Sequence, residues 1–158
     1  MNKKTLNSIR KSRTMHLIDI ENLCMAANPT FEQVAEARRS YMELVKPGEN
    51  DQFLVTVSSR HNLAAAAFGW SGADLKCREG HDGADYLLAE AILEGQLENR
   101  FDQVVIASGD GGLAPFVKKL TTLLNEVVVV SQPTAIAFAM RIAGARVKYL
   151  RPEFALAA

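Results

Sequence analysis

The sequence predicts an α/β domain in which a mainly parallel sheet of five or six strands is covered by helices on both faces. Apolar runs of strand length alternate with segments of helical period, a β-α unit repeated five times. The strand runs are continuously apolar, as expected of strands buried on both faces. A chain of 158 residues makes about one ordinary domain. At that size it buries roughly two thirds of its unfolded surface without a disulfide or metal staple.

The elements follow in order. TMHLIDI (14–20) reads as a strand. TFEQVAEARRSYMELV (30–45) reads as an amphipathic helix, with Phe31, Val34, Ala37, Tyr41 and Leu44 or Val45 recurring at three or four. Thr30 and Gln33 have the spacing of a capping box, and KPGEN then breaks the chain. DQFLVTVSS (51–59) is a strand, and HNLAAAAFGW (61–70) is a short Ala-rich helix suited to close packing. ADLKCRE (73–79) is a short strand and DGADYLLAEAILEGQL (82–97) a helix. FDQVVIAS (101–108) is a strand. GLAPFVKKLTTLL (112–124) is a helix that tolerates Pro115 in its first turn. EVVVVS (126–131) is the most apolar strand. PTAIAFAMRIAG (133–144) reads as a helix from Pro133 to Gly144, and RVKYL (146–150) as a last edge strand.

Composition excludes several classes. At 48% hydrophobic and 23% charged the chain has the make-up of a soluble globular protein. No apolar run approaches the ~20 residues of a membrane span. MNKKTLNSIRKSRT is too polar for the core of a signal peptide. Cys24 and Cys77 form neither a metal-type pair nor a disulfide framework, so the expected setting is reduced and cytoplasmic. Net charge is zero but uneven. Lys3, Lys4, Arg10, Lys11 and Arg13 form a basic arm without acids, and the rest carries 13 basic residues against 18 acidic ones. The expected organisation is an arm over 1–13, a domain over 14–150 and a tail over 151–158. Such an arm suits either contact with a polyanion or plain solubility.

In an open α/β sheet, ligands bind beyond the carboxyl ends of the strands. The residues that end each predicted strand are Asp19, Glu21 and Asn22; Ser58, Ser59, Arg60, His61 and Asn62; Arg78, Glu79, His81, Asp82 and Asp85; Ser108, Gly109, Asp110, Gly111 and Gly112; and Ser131 with Gln132. Asp82 and Asp85 share a face in the first turn of their helix, where acids also complement the helix dipole. That does not account for Asp19 and Asp110 arriving from other strands. Converging carboxylates need a counter-ion. A hard divalent cation, Mg²⁺ or Mn²⁺, supplies one; pairing with Arg60 or Arg78 is the other resolution. Zinc is not indicated, because His16, His61 and His81 are dispersed. His16 reads as structural, while His61 and His81 are placed to meet phosphate or water. SGDGG lacks the GK[ST] of a P-loop and the spacing of a nucleophile elbow.

LIDIENL, DGADYLLAEAIL and VVIASGDGGLAPFVKKL, in that order, resemble the NYN domain family of PIN-like metal-dependent ribonucleases, over about residues 14–150. The resemblance implies a Rossmann-like three-layer α/β/α sandwich and hydrolysis of RNA phosphodiesters with Mg²⁺ or Mn²⁺, leaving a 5′-phosphate and a 3′-hydroxyl. It implies that Asp19, Asp85 and Asp110 are metal-site acids, with Asn22 and Ser108 as neighbouring polar groups. Asp82 and Glu21 are additional candidates as ligands. Arg60, Arg78, His61 and His81 are candidates for contact with single-stranded or structured RNA. Many members read Ser-Gly-Asp-x-Asp-Phe; here Gly112 and Leu113 take the last two places. Asp82 or Glu21 is then the candidate to restore the missing charge. A non-catalytic RNA- or partner-binding module, and a phosphatase-like enzyme acting on a small phosphorylated molecule, stay open as alternatives. So do a second copy of the chain, which AIAFAM could face, and a regulatory protein partner.

Overall fold

A computed structural model describes residues 13–150. The basic arm, except Arg13, and the tail over 151–158 lie outside the described residues. Six strands, β1 (Thr14–Asp19), β2 (Gln52–Val57), β3 (Asp74–Cys77), β4 (Gln103–Ala107), β5 (Glu126–Ser131) and β6 (Arg146–Tyr149), form one sheet in the order β3-β2-β1-β4-β5-β6. Every pairing is parallel. This is a Rossmann-like three-layer sandwich, with the strand order reversing direction between β1 and β4.

The layers follow from residue alternation along the strands. Leu17, Leu54, Val104, Ile106, Val127 and Val129 face one core, closed by α4 (Gly83–Glu94), α5 (Leu97–Arg100), α6 (Ala114–Leu123) and α7 (Phe138–Arg141). Ile18, Val55, Val57, Val105, Val128 and Val130 face the other, closed by α1 (Ile20–Cys24), α2 (Phe31–Val45) and α3 (Leu63–Gly69). Helices that carry the chain from β1 to β3 lie on one face. Those that carry it back to β4 and on to β6 lie on the other, as right-handed crossovers require.

Local chemistry sets the ends. Thr30 and Gln33 form the capping box of α2. Val34, Ala37 and Tyr41 point inward, whereas Phe31, at the first position of the helix, is half exposed. Tyr41 meets buried His16: the Tyr41 hydroxyl lies 2.6 Å from Nδ1, and Nε2 lies 2.9 Å from Asp51. His16 also stacks on Phe53. Burial holds the His16 pKa below its ordinary value despite Asp51. Its role is to tie β1 to α2 and to the entry of β2, as a structural histidine does.

The sequence reading needs three corrections. β1 stops at Asp19, because that side chain caps α1 instead of continuing the strand. The helix expected over 133–144 is the single turn Phe138–Arg141. The Ala137 N–H that would extend it donates instead to the Gly109 carbonyl at 2.8 Å. Ile136 and Met140 enter the core while Phe138 faces solvent. The helix expected over 82–97 ends at Glu94, and α5 follows after a left-handed Gln96. Among the described residues no helix is long and apolar enough to cross a membrane.

Candidate active site at the switch point

The site lies where the ends of β1 and β4 meet. Asp19 is paired in register with Thr56 of β2, and its neighbour Ile18 with Ala107 of β4. That position leaves Asp19 only 5% exposed. Its Oδ1 accepts the Asn22 N–H at 3.2 Å and its Oδ2 accepts the Ser108 hydroxyl at 3.4 Å. Asn22 Oδ1 in turn accepts the Gly109 N–H at 2.9 Å. The Asp110 N–H donates to Ser108 Oγ at 3.2 Å, and Asp110 Oδ1 accepts the Gly112 N–H at 2.8 Å. Residues from LIDIENL and SGDGG are thus laced together across the switch point.

Gly109 permits the lacing. A Cβ there would lie 2.2 Å from the Ala135 carbonyl oxygen and 2.6 Å from Ser131 Oγ. Only a glycine lets this loop sit against the segment after β5.

Asp85 comes from the first turn of α4 and stands within hydrogen-bonding reach of both Asp19 and Asp110. Its Oδ1 is buried without a partner. Burial, followed by the charges of Asp19 and Asp110, raises the Asp85 pKa to about 8. Burial likewise raises Asp19 to about 6, and the charge of Glu21 pushes in the same direction. Among the described residues no Lys or Arg forms a salt bridge with Asp19, Asp85 or Asp110. Among the described residues the crowding therefore goes without a basic partner.

The two additional acids are placed elsewhere. Glu21 accepts the Ser58 N–H at 2.9 and 3.0 Å and the Asn62 amide at 2.7 Å, tying α1 to the end of β2. Asn62, buried and also bonded to the Ala27 carbonyl, completes that anchor. Asp82 is exposed and pairs with His81 at 2.8 Å. Neither fills the place of the carboxylate that Gly112 lacks. Glu21 turns away from Asp19 because the chain enters α1 at Ile20.

The basic candidates flank this rim on the β2–β3 side. Arg60 lies against Glu79, with its N–H at 3.0 Å and its Nε at 3.5 Å. His61 is exposed in the turn that follows β2, its N–H on Ser59 Oγ. Arg78 sits over the ring of Tyr86, its guanidinium carbon 3.4 Å from the centroid. Tyr86 escapes sequence reasoning, because an aromatic inside an apolar helix reads as core; the signal was its place directly after Asp85.

The donor set suits a hard divalent cation: three carboxylates, one with an unsatisfied buried oxygen, beside an amide and a hydroxyl. As the side chains stand, no three His, Cys, Asp or Glu among the described residues are grouped closely enough to hold a metal ion. Asp85 faces Asp19 and Asp110, whose charges add to burial in raising its pKa. Thiolate ligation is disfavoured, because burial and the charges of Asp19 and Glu21 push Cys24 up to about 12.

Compared with models of protein families, the sequence matches none, and no curated protein sequence matches it. Among solved structures, the chain is similar to the crystal structure of a protein of unknown function from Vibrio parahaemolyticus. The TM-score is 0.62 at 15% identity, covering 92% of this chain and 96% of that one. The likeness is one of fold. Both chains share the sandwich over nearly their whole length.

Proposed function

We propose that this chain is a metal-dependent ribonuclease that hydrolyses RNA phosphodiesters at the β1–β4 switch point. One observation carries the reading. Carboxylates from two other elements, Asp19 and Asp110, face Asp85 with no salt-bridge partner among the described residues, and Asp85 keeps a buried oxygen unsatisfied. The choice of RNA rests on the ordered motifs that resemble NYN domains.

Asp19, Asp85 and Asp110 would hold Mg²⁺ or Mn²⁺. A bound divalent cation supplies Lewis-acid chemistry, lowering the pKa of a water and stabilising charge on the scissile phosphate. The chain's own residues do the rest. With its pKa raised to about 8, Asp85 would have to lose its proton to act as a ligand, so metal affinity would rise with pH. Asn22 fixes the Gly109 amide, and Ser108 orients Asp19 while receiving the Asp110 amide, so the acids are held by partners that do not titrate.

A second reading has its own observation. Gly112 lacks the family carboxylate, and neither Glu21 nor Asp82 replaces it. A weak site on an RNA- or partner-binding module fits this placement. The small-phosphate reading loses support, because the Gly109, Asp110 and Gly112 amides of the glycine loop are already bonded within the protein. The deciding experiment is degradation of labelled single-stranded RNA with Mn²⁺. The nuclease reading expects cleavage by wild type and a loss of roughly 100-fold or more in Asp19→Asn and Asp110→Asn. A folded variant that cleaves as fast as wild type overturns the assignment.

A further inference from the structure

We infer that Arg78 and Tyr86 form a stacking platform for an unpaired base at the start of the helix that carries Asp85. The inference rests on the nucleic-acid reading above and deepens it by assigning the residues that select unpaired strands.

The pair is built by the chain path between β3 and α4. The Arg78 N–H extends the β2 ladder to the Val57 carbonyl, and the chain then turns through Gly80, whose φ of 124° suits glycine. Gly83 lets α4 start directly against Arg78: a Cβ on Gly83 would lie 1.8 Å from the Arg78 carbonyl oxygen. This close approach brings Arg78 beside the first turn of the helix that carries both Asp85 and Tyr86.

At 3.4 Å from the ring centroid, a planar guanidinium has to lie nearly parallel to the Tyr86 ring. Both residues are exposed, Tyr86 to 49%. Arg60 is occupied by Glu79, but Arg78 makes no salt bridge among the described residues. Its charge and outer face are therefore open to a ligand. A cation stacked on an aromatic and turned to solvent is a surface on which bases stack, and Arg planes and aromatic rings serve alike. Duplex bases already spend both faces on their neighbours, so the platform favours unpaired strands. Tyr86 and Asp85 share the first turn of α4 but point to different faces, so the platform sits on the helix that supplies one of the three acids.

The test uses the full chain carrying Asp110→Asn to suppress cleavage. Fluorescence anisotropy measures binding of a labelled single-stranded RNA, the same strand in a duplex, and the same strand with abasic positions. Tyr86→Ala and Arg78→Ala should each weaken single-strand binding about 5- to 100-fold. Tyr86→Phe and Tyr86→Trp should keep it, duplex and abasic binding by Tyr86→Ala should barely change, and melting temperatures should match the parent. Tyr86→Ala should also leave the salt dependence of binding unchanged, since it removes no charge. Unaltered single-strand binding in Tyr86→Ala, or equal losses on single strand and duplex, overturns the inference. Mn²⁺-dependent cleavage by the chain with Asp110 intact is a separate arm. Cleavage that Tyr86→Ala does not slow at low RNA concentration counts against the platform alone. Single-strand binding that depends on Tyr86 with no cleavage counts against the nuclease reading and supports the platform.

Discussion

Replacing Asp85 by Asn should stabilise the metal-free protein, and increasingly so as the pH rises. In the unfolded chain Asp85 ionises near pH 4. In the fold burial and two neighbouring carboxylates delay ionisation to about pH 8. The folded state therefore binds more protons than the unfolded state between these values, and stability falls as pH rises through the interval. Below pH 4 both states are protonated and the substitution is neutral on this account. At about 1.4 kcal/mol per pH unit the full penalty above pH 8 would be about 5–6 kcal/mol. Asp85 is only partly buried, and solvent screening reduces this to about 1–3 kcal/mol. For a chain of this size that is roughly 3–10 °C in Tm. The assay is thermal unfolding in EDTA from pH 4 to 9, read as the difference between variant and wild type. The difference matters because His16, held below its ordinary pKa by burial, acts oppositely: its contribution is lost as pH falls below about 6.5. A gap between the two proteins that stays constant with pH, or shrinks toward pH 9, would refute the reasoning.

Other substitutions separate the site from its supports. Gly109→Ala should cost roughly 2–4 kcal/mol by displacing the segment after β5; chemical denaturation measures it, and an unchanged midpoint contradicts the packing described. Glu21→Gln should lower stability by roughly 1–3 kcal/mol through the Ser58 and Asn62 anchor, yet leave Mn²⁺-dependent cleavage largely intact below its Tm. A loss as severe as that of Asp19→Asn would return Glu21 to the ligand set. Asp51→Ala should cost roughly 2–4 kcal/mol, because it strips partners from the Thr14 and Gly48 amides and from His16. It should not abolish cleavage, since Asp51 lies at the opposite end of the sheet; abolition in a folded variant would show coupling between the two ends.

Much of the fold was legible because parallel strands buried on both faces must be continuously apolar. The runs of β1, β2, β4 and β5 stand clear of their helices for that reason, whereas the edge strands β3 and β6 alternate with charged residues. The rim was legible too: Asp19, Asn22, Asp85, Ser108 and Asp110 were named from strand ends, and the structure brings them together. What escaped depends on single hydrogen bonds that no periodicity encodes. Asp19 capping α1 turns Glu21 away, and the Ala137–Gly109 bond cuts a twelve-residue helical pattern to one turn. The Arg78–Tyr86 pair depends on the close approach at Gly83, which is visible only once the chain path between β3 and α4 is known.

The central claim is that Asp19, Asp85 and Asp110 form a divalent-cation site. Crystals soaked in Mn²⁺ above pH 8, past the value to which burial raises Asp85, test it most directly through anomalous scattering. The account predicts a Mn²⁺ peak bounded by these three carboxylates, with Asp85 Oδ1 among its ligands and Glu21 still bonded to Ser58 and Asn62. Three carboxylates with no peak between them would contradict it.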